Sequence, residues 1–217
     1  ENKEFLGTEK VGKLLFKLAV PSVIAQLVNL LYNMVDRIYI GHMADVGSLA
    51  LTGVGVCMPV IMLVSAFACL VGMGGAPQVS ICMGRKEHDK AEKIMGNCLT
   101  FLVSISIVLT VLLYIFGERL LLIFGASQNT IGYAVDYMKI YVLGTIFVQM
   151  ALGMNMFITC QGFTKVSMLS VIIGAVMNIV LDPILIFGLN MGVKGAALAT
   201  IISQAVSAVW VIAFLSG

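Results

Sequence analysis

VGSLALTGVGVCMPVIMLVSAFACLVGMGGAPQVSICMG, residues 46–84, runs for 39 positions without one charged side chain. A membrane-spanning helix needs about 20 apolar residues. The stretch therefore holds one long helix or two short ones, and the choice sets the sidedness of everything after it. Working outward, further charge-free runs cover 18–35, 94–117, 140–164 and 195–217, and a shorter one at 166–181 continues past Asp182 to about Phe187. Composition agrees: 60% of the 217 residues are hydrophobic, 11% are charged, and mean hydropathy is +1.05. Soluble domains carry roughly 25% charged residues. So few charges cannot coat a soluble fold of this length, whereas lipid lets apolar side chains face outward.

Charge placement decides between one helix and two. With one helix at 46–84 the chain has six spans and both termini share a side. Lys3, Lys10, Lys13, Lys17, Arg85, Lys86, Lys90, Lys93 and Lys165 then fall on one face, and Arg37, Arg119, Lys139 and Lys194 on the other. Basic residues accumulate on the cytoplasmic side, which places both termini there. Two helices would move the Arg85–Lys93 block outside and weaken the bias. The expected fold is an all-α membrane protein, a six-transmembrane-helix bundle over residues 1–217. Its expected spans are 14–40, 49–73, 94–116, 133–160, 166–187 and 196–216, the second followed by a Gly/Pro-broken extension through Pro77. RKEHDKAEK (85–93) reads as a charged cytoplasmic loop, and GERLLLIFGAS (117–127) as a short amphipathic piece at the outer face.

A net charge of +2 is too small to imply nucleic acid. The cysteines at 57, 69, 82, 98 and 160 lack metal-ligand spacing and read as reduced, membrane-buried thiols. The glycines around 53–55 and 72–75 lack the strand context of a nucleotide loop and read as close helix packing. The polar N-terminus followed by a long apolar run shows no cleavable signal. The chain stops as its sixth span finishes, which leads us to expect a piece of something longer.

Two aspartates sit inside apolar runs, where a charged side chain costs roughly 2.5 kcal/mol or more on insertion scales. Asp36 and Asp182 are each either an ion or proton site, or a helix-end charge held at the interface or paired structurally, as with Arg37. Neighbours one apart, however, point to different helix faces. In the first span, Ser22, Gln26, Asn29, Asn33 and Asp36 fall within about 80° of helical arc. Such a stripe must face protein or a water-filled cavity, as interhelical glue or as a lining. Pro21, which removes a backbone hydrogen bond, predicts a bend. The fifth span repeats the pattern with Ser167, Ser170, Gly174, Asn178 and Asp182, then Pro183. Counted from the expected helix ends, Asp36, Asp182 and Thr200 lie ~6 to 8 Å inside the outer boundary, with Asn178 one turn deeper. Two carboxylates, an amide and a hydroxyl are hard oxygen donors, suited to a small cation or a proton.

NIVLDPILIFGLNMGVKGAALAT (178–200) is similar to the fifth-to-sixth helix signature of the multidrug and toxic compound extrusion (MATE) transporters. VPSVIAQLVNLLYNMVDRIYIGH (20–42) resembles that family's first helix, and LALTGVGVCMPV (49–60) its second. The resemblance covers essentially the whole chain and is nearest in wording to the MepA-like bacterial branch. It implies one lobe of a two-lobe multidrug efflux antiporter in the plasma membrane, the bacterial inner membrane, exchanging cationic amphiphilic small molecules for Na⁺ or H⁺. The family's cation site maps onto Asp36, Asn178, Asp182 and Thr200, with Na⁺ a candidate ligand. Gln26, Asn29, Asn33 and Gln149 are the expected substrate-cavity residues. Expected partners are lipid and a second six-helix lobe; no cofactor, catalytic residue or nucleic acid is expected. Two rivals remain. A flippase of a lipid-linked or polysaccharide precursor calls for a basic cavity, whereas the intramembrane polar residues here are acidic or neutral. An intramembrane aspartyl enzyme would need Gly-x-Gly-Asp, where this chain has Val-Leu-Asp-Pro.

Overall fold

The computed structural model describes residues 10–43 and 46–217. Lys3, counted above among the basic residues of one face, and Asp45 lie outside the described residues. Among those described, the secondary structure is helical throughout. α1 (Val11–Gly41) is the first span and runs unbroken through Pro21. α2 (Gly47–Val56) and α3 (Met58–Gly84) are joined at Cys57 into one 38-residue second span. α4 (His88–Ile123) is the third. The fourth span comprises α5 (Ile131–Leu143), α6 (Thr145–Gln149), the π-helical turn Met150–Met154 and α7 (Asn155–Cys160). α8 (Thr164–Pro183) with the π-helical turn Ile184–Gly188 makes the fifth, and α9 (Val193–Ser216) the sixth. Five of these are long and apolar enough to cross a membrane, and six when the bent fourth is counted as one span.

Three boundaries differ from the sequence-based expectation. α3 continues helically through Gly72, Gly74, Gly75 and Pro77 to Gly84, so no broken extension follows the second span. Close packing accounts for part of that glycine cluster: a side chain at Gly75 would meet Phe157 at 2.9 Å, whereas Gly74 faces open space. α4 starts inside the charged segment 85–93, and GERLLLI (117–123) is its last two turns rather than a separate amphipathic piece. Helical hydrogen bonding does not stop where the apolar run stops, because charged residues beyond the hydrocarbon can extend a helix into water. The fourth span is bent by 63° at Gly144. There Ile201 of α9 fills the space that a side chain at Gly144 would occupy.

Leu102, Phe157, Ile158 and Met154 form one buried apolar cluster, and Val60, Val64, Tyr137, Val142 and Ile186 belong to a second. Outward-facing leucines, valines and isoleucines such as Leu30, Leu70, Ile115 and Val209 supply the lipid-facing surface that a multi-pass protein needs.

Candidate functional site

The last turns of α1 and α8 bring the two intramembrane aspartates together. α1 packs along α8, and Asp36 and Asp182 each sit near the C-terminal end of their span. Their carboxyls face each other within hydrogen-bonding reach. Asp36 is 9% exposed, Asp182 0% and Asn178 1%. One helical turn behind Asp182, Asn178 Nδ2 donates to Asp182 Oδ1 at 3.4 Å. Three oxygens are then left over: Asp36 Oδ1, Asn178 Oδ1 and Asp182 Oδ2 are buried without a hydrogen-bond partner. An unsatisfied buried acceptor costs about 1–3 kcal/mol, more for a charged group. Three within one cluster form an arrangement that a single small cation or a shared proton satisfies at once.

Local sequence explains why α8 stops where it does. Pro183 has no N–H for the helical ladder, and the chain continues as the π-helical turn Ile184–Gly188. α9 crosses this turn at Gly195, where a Cβ would meet the Leu185 backbone at 2.7 Å. The acid-bearing end of α8 is therefore seated directly against α9.

Beside the acids opens a cavity of about 440 Å³. Ser22, Gln26, Asn29, Asn33 and Asp36 of α1 line it, so the whole first-span stripe faces this space. Ser167, Ser170 and Gly174 of α8 line it as well, while Asn178 and Asp182 lie behind the wall. Thr200 is in the lining and sits beside the Tyr137 hydroxyl; its own hydroxyl donates to Ala196 O at 3.0 Å. Tyr137 in turn lies within electrostatic reach of Asp36.

Gln149 does not belong to the cavity. It is fully buried between the second and fourth spans, and its Nε2 donates to Val64 O at 2.8 Å. The bend at Gly144 and the π-helical turn that follows rotate this part of the fourth span so that Val148, Ala151, Leu152 and Asn155 face the cavity instead. Arg37 departs from its expected face too. Its long side chain reaches round the helix to the same cavity as Asp36, where Nη2 contacts Met58 Sδ at 3.0 Å.

Several lining residues escaped the sequence reading. Tyr32 lies among Asn33, Gln204 and the two carboxylates, and Tyr137 and Tyr141 stack with centroids 6.1 Å apart. Asn155 Nδ2 donates to Ser167 O at 3.4 Å, and Ser207 Oγ to Ser170 O at 3.0 Å. Tyrosines count as apolar in a hydropathy scan, and isolated serines in a span look like packing residues. Their common depth was the available signal.

Fold and site together define a multi-pass α-helical membrane protein with an acid-containing cavity between its apolar helices. The MatE family model matches residues 21–184, and the chain belongs to this family, the multidrug and toxic compound extrusion transporters; it is a transporter-family protein and not an enzyme. It is 29% identical to multidrug export protein MepA of Staphylococcus haemolyticus (strain JCSC1435), covering 98% of this chain and 46% of that protein. With MepA of Staphylococcus aureus (strain NCTC 8325 / PS 47) it shares 26% identity, over 99% of this chain and 47% of that one. The crystal structure of MATE in complex with MaD3S superposes with a TM-score of 0.86 at 27% identity, over 94% of this chain and 45% of that one. The chain thus spans about half the length of the curated relatives it matches.

Proposed function

We propose that this chain carries the coupling-ion site and half of the drug cavity of a cation-coupled multidrug efflux antiporter. The observation that carries the reading is the set of three unpaired buried oxygens on Asp36, Asn178 and Asp182, placed next to a cavity in the membrane. A Na⁺ or an H⁺ between the facing carboxylates relieves their repulsion, with Asn178 and Thr200 as neutral ligands. Gln26, Asn29 and Asn33 line the path of a cationic amphiphilic substrate. The name shared by the MepA relatives supports export of many drugs, and their length supports a second six-helix lobe as the partner that this lobe rocks against. Basic asymmetry supports cytoplasmic termini in a bacterial inner membrane.

The coupling step follows from charge. With the site empty, two carboxylates repel across the α1–α8 contact; with it filled, the contact closes. An ion shifts such an equilibrium only by its differential affinity for the two states. Pro21, which weakens the α1 ladder, is where this helix yields. In the complete transporter reconstituted in proteoliposomes, Asp36→Asn and Asp182→Asn each abolish ion-driven efflux while leaving the protein inserted and folded. Wild-type coupled efflux by both variants refutes the assignment. Cells producing residues 1–217 alone gain no drug resistance; clear protection means the lobe works without the second half.

A further inference from the structure

The two charged residues in the cavity wall are Asp36 and Arg37, and the ion-coupling reading uses only the first. Arg37 is half-buried, and the hydrogen bond it makes is to a thioether, Met58 Sδ, at 3.0 Å. Thioether sulfur is a weak acceptor, whereas a guanidinium carries five N–H donors in a planar fork. Val54 and Ile61, one helical turn before and after Met58 in the same wall, add no acceptor side chain. Although adjacent in sequence, Arg37 and Asp36 form no ion pair among the described residues; Asp36 turns instead toward Asp182. The Arg37 charge nevertheless lies within electrostatic reach of the Asp36 carboxyl, and its long unbranched stem lets the charged head move. Asp36 Oδ1 and Asp182 Oδ2 are the carboxylate oxygens left without a partner. A strong donor on a poor acceptor thus stands beside strong acceptors that have no donor.

We infer that Arg37 is a positioning residue with two places: it rests on Met58 while the acid pair is occupied, and it swings onto Asp36 and Asp182 when the pair is empty, as a tethered substitute cation. This rests on the coupling-ion reading above and adds what the site holds between one coupling ion and the next. An emptied pair leaves two buried carboxylates face to face, and a buried charge is costly unless paired. No other positive side chain lines the cavity; Tyr32 and Tyr137, within electrostatic reach of the acids, are phenols, and Thr200 and Gln204 of α9 are neutral. A guanidinium is bulkier than either coupling cation, so it offsets the charge without letting the α1–α8 contact close. As a competitor built into the same wall, it lowers the apparent affinity for the ion in proportion to the fraction of time the pair is open, which favours release.

Cation affinity of the complete purified transporter in lipid nanodiscs tests this, read with radiotracer Na⁺ or, for H⁺, with a pH-sensitive dye. No substrate and no gradient are present. Met58→Gln offers the guanidinium an amide oxygen at its resting place and is expected to tighten cation binding. Met58→Leu, similar in size but without an acceptor, is expected to weaken it. The two should differ by at least about threefold, on the scale of gaining one acceptor for a charged donor. With Arg37→Gln in the same chain the difference disappears, and Arg37→Gln alone binds the cation more tightly than the wild type. Neither Met58 substitution alters a charge, so a fixed field from Arg37 gives no difference between them. A difference below about threefold, of opposite sign, or persisting without Arg37 overturns the inference and leaves the cation site standing, and so does an Arg37→Gln variant that binds no more tightly than the wild type. Binding of neither cation by the wild type overturns it together with the coupling reading.

Discussion

On α1 the polar stripe stands open: Ser22, Gln26 and Asn33 are exposed to the cavity, and Asp36 and Pro21 are the polar-face positions that are buried. On α8 the matching stripe is closed in, with Ser167, Ser170, Asn178 and Asp182 all buried. The apolar stretch of α1 is 6% buried within the protein, that of the fifth span 39%. α8 is wedged between α1, α7 and α9, and Ser207 of α9 presses onto Gly174. The same sequence device therefore has two uses. On the embedded helix it fixes one carboxylate; on the peripheral helix it offers the other from an arm that packs along α8 and turns its remaining polar side chains to the cavity.

The largest effects should come from the acids. Loss of ion-driven efflux in Asp182→Asn and in Asp36→Asn is the outcome that the shared-site reading requires. The embedded residue should be the more damaging to replace with a bulkier group, since Asp182→Leu has no open side to turn toward. If only Asp182 matters, the peripheral arm is not part of the coupling.

Glycine substitutions sharpen the contrast between seat and arm. Gly195→Ala drives a methyl group into the Leu185–Ile186 backbone beneath Asp182 and should destabilise the protein by about 1–3 kcal/mol, the usual cost of overpacking. Gly12 of α1 has nothing within 4 Å of an added Cβ. Gly12→Ala should be neutral, or stabilising by up to about 1 kcal/mol through helix propensity. Thermal unfolding in detergent, followed by size-exclusion fluorescence, compares the two; equal effects would break the distinction between the helices.

Gln149→Leu removes the bond to Val64 O. It should cost about 0.5–1.5 kcal/mol, the range for a hydrogen bond between membrane helices, and leave ion-driven efflux unchanged. A changed range of exported substrates would return Gln149 to the cavity. The smallest effect belongs to Asp136, whose surface pair with Lys194 at 3.4 Å joins two well-exposed side chains. Asp136→Asn should shift stability by less than about 0.5 kcal/mol and leave efflux untouched.

The two stripes were legible because polar residues recurring at helical period inside an apolar run mark a face that must turn away from lipid, and depth counting brought Asp36 and Asp182 to one level. Gln149 shows where that logic fails. A polar residue in a span satisfies the same pattern whether it faces a cavity or a neighbour's carbonyl, and YVLGTIFVQMALG (141–153) gives no sign of a 63° bend that turns it inward. Gly144 alone cannot signal the bend, because it arises where Ile201 of a distant helix packs. Helix ends were misread for a related reason: hydropathy marks the end of an apolar run, while α4 continues past that run at both ends, from His88 to Ile123. Arg37 was assigned by the direction of its Cα–Cβ bond, which fixes little for a side chain long enough to round the helix.

The central claim is that Asp36 and Asp182 hold one cation between them. It is tested most directly by counting bound cations per chain, Na⁺ with a radiotracer and H⁺ with a pH-sensitive dye, in the wild type, both single Asn variants and the double variant. The account predicts one cation at this site in the wild type, its loss in either single variant, and no further loss in the double, the non-additivity of groups acting as a unit. Independent, additive losses from Asp36→Asn and Asp182→Asn, or full retention in either one, would contradict it.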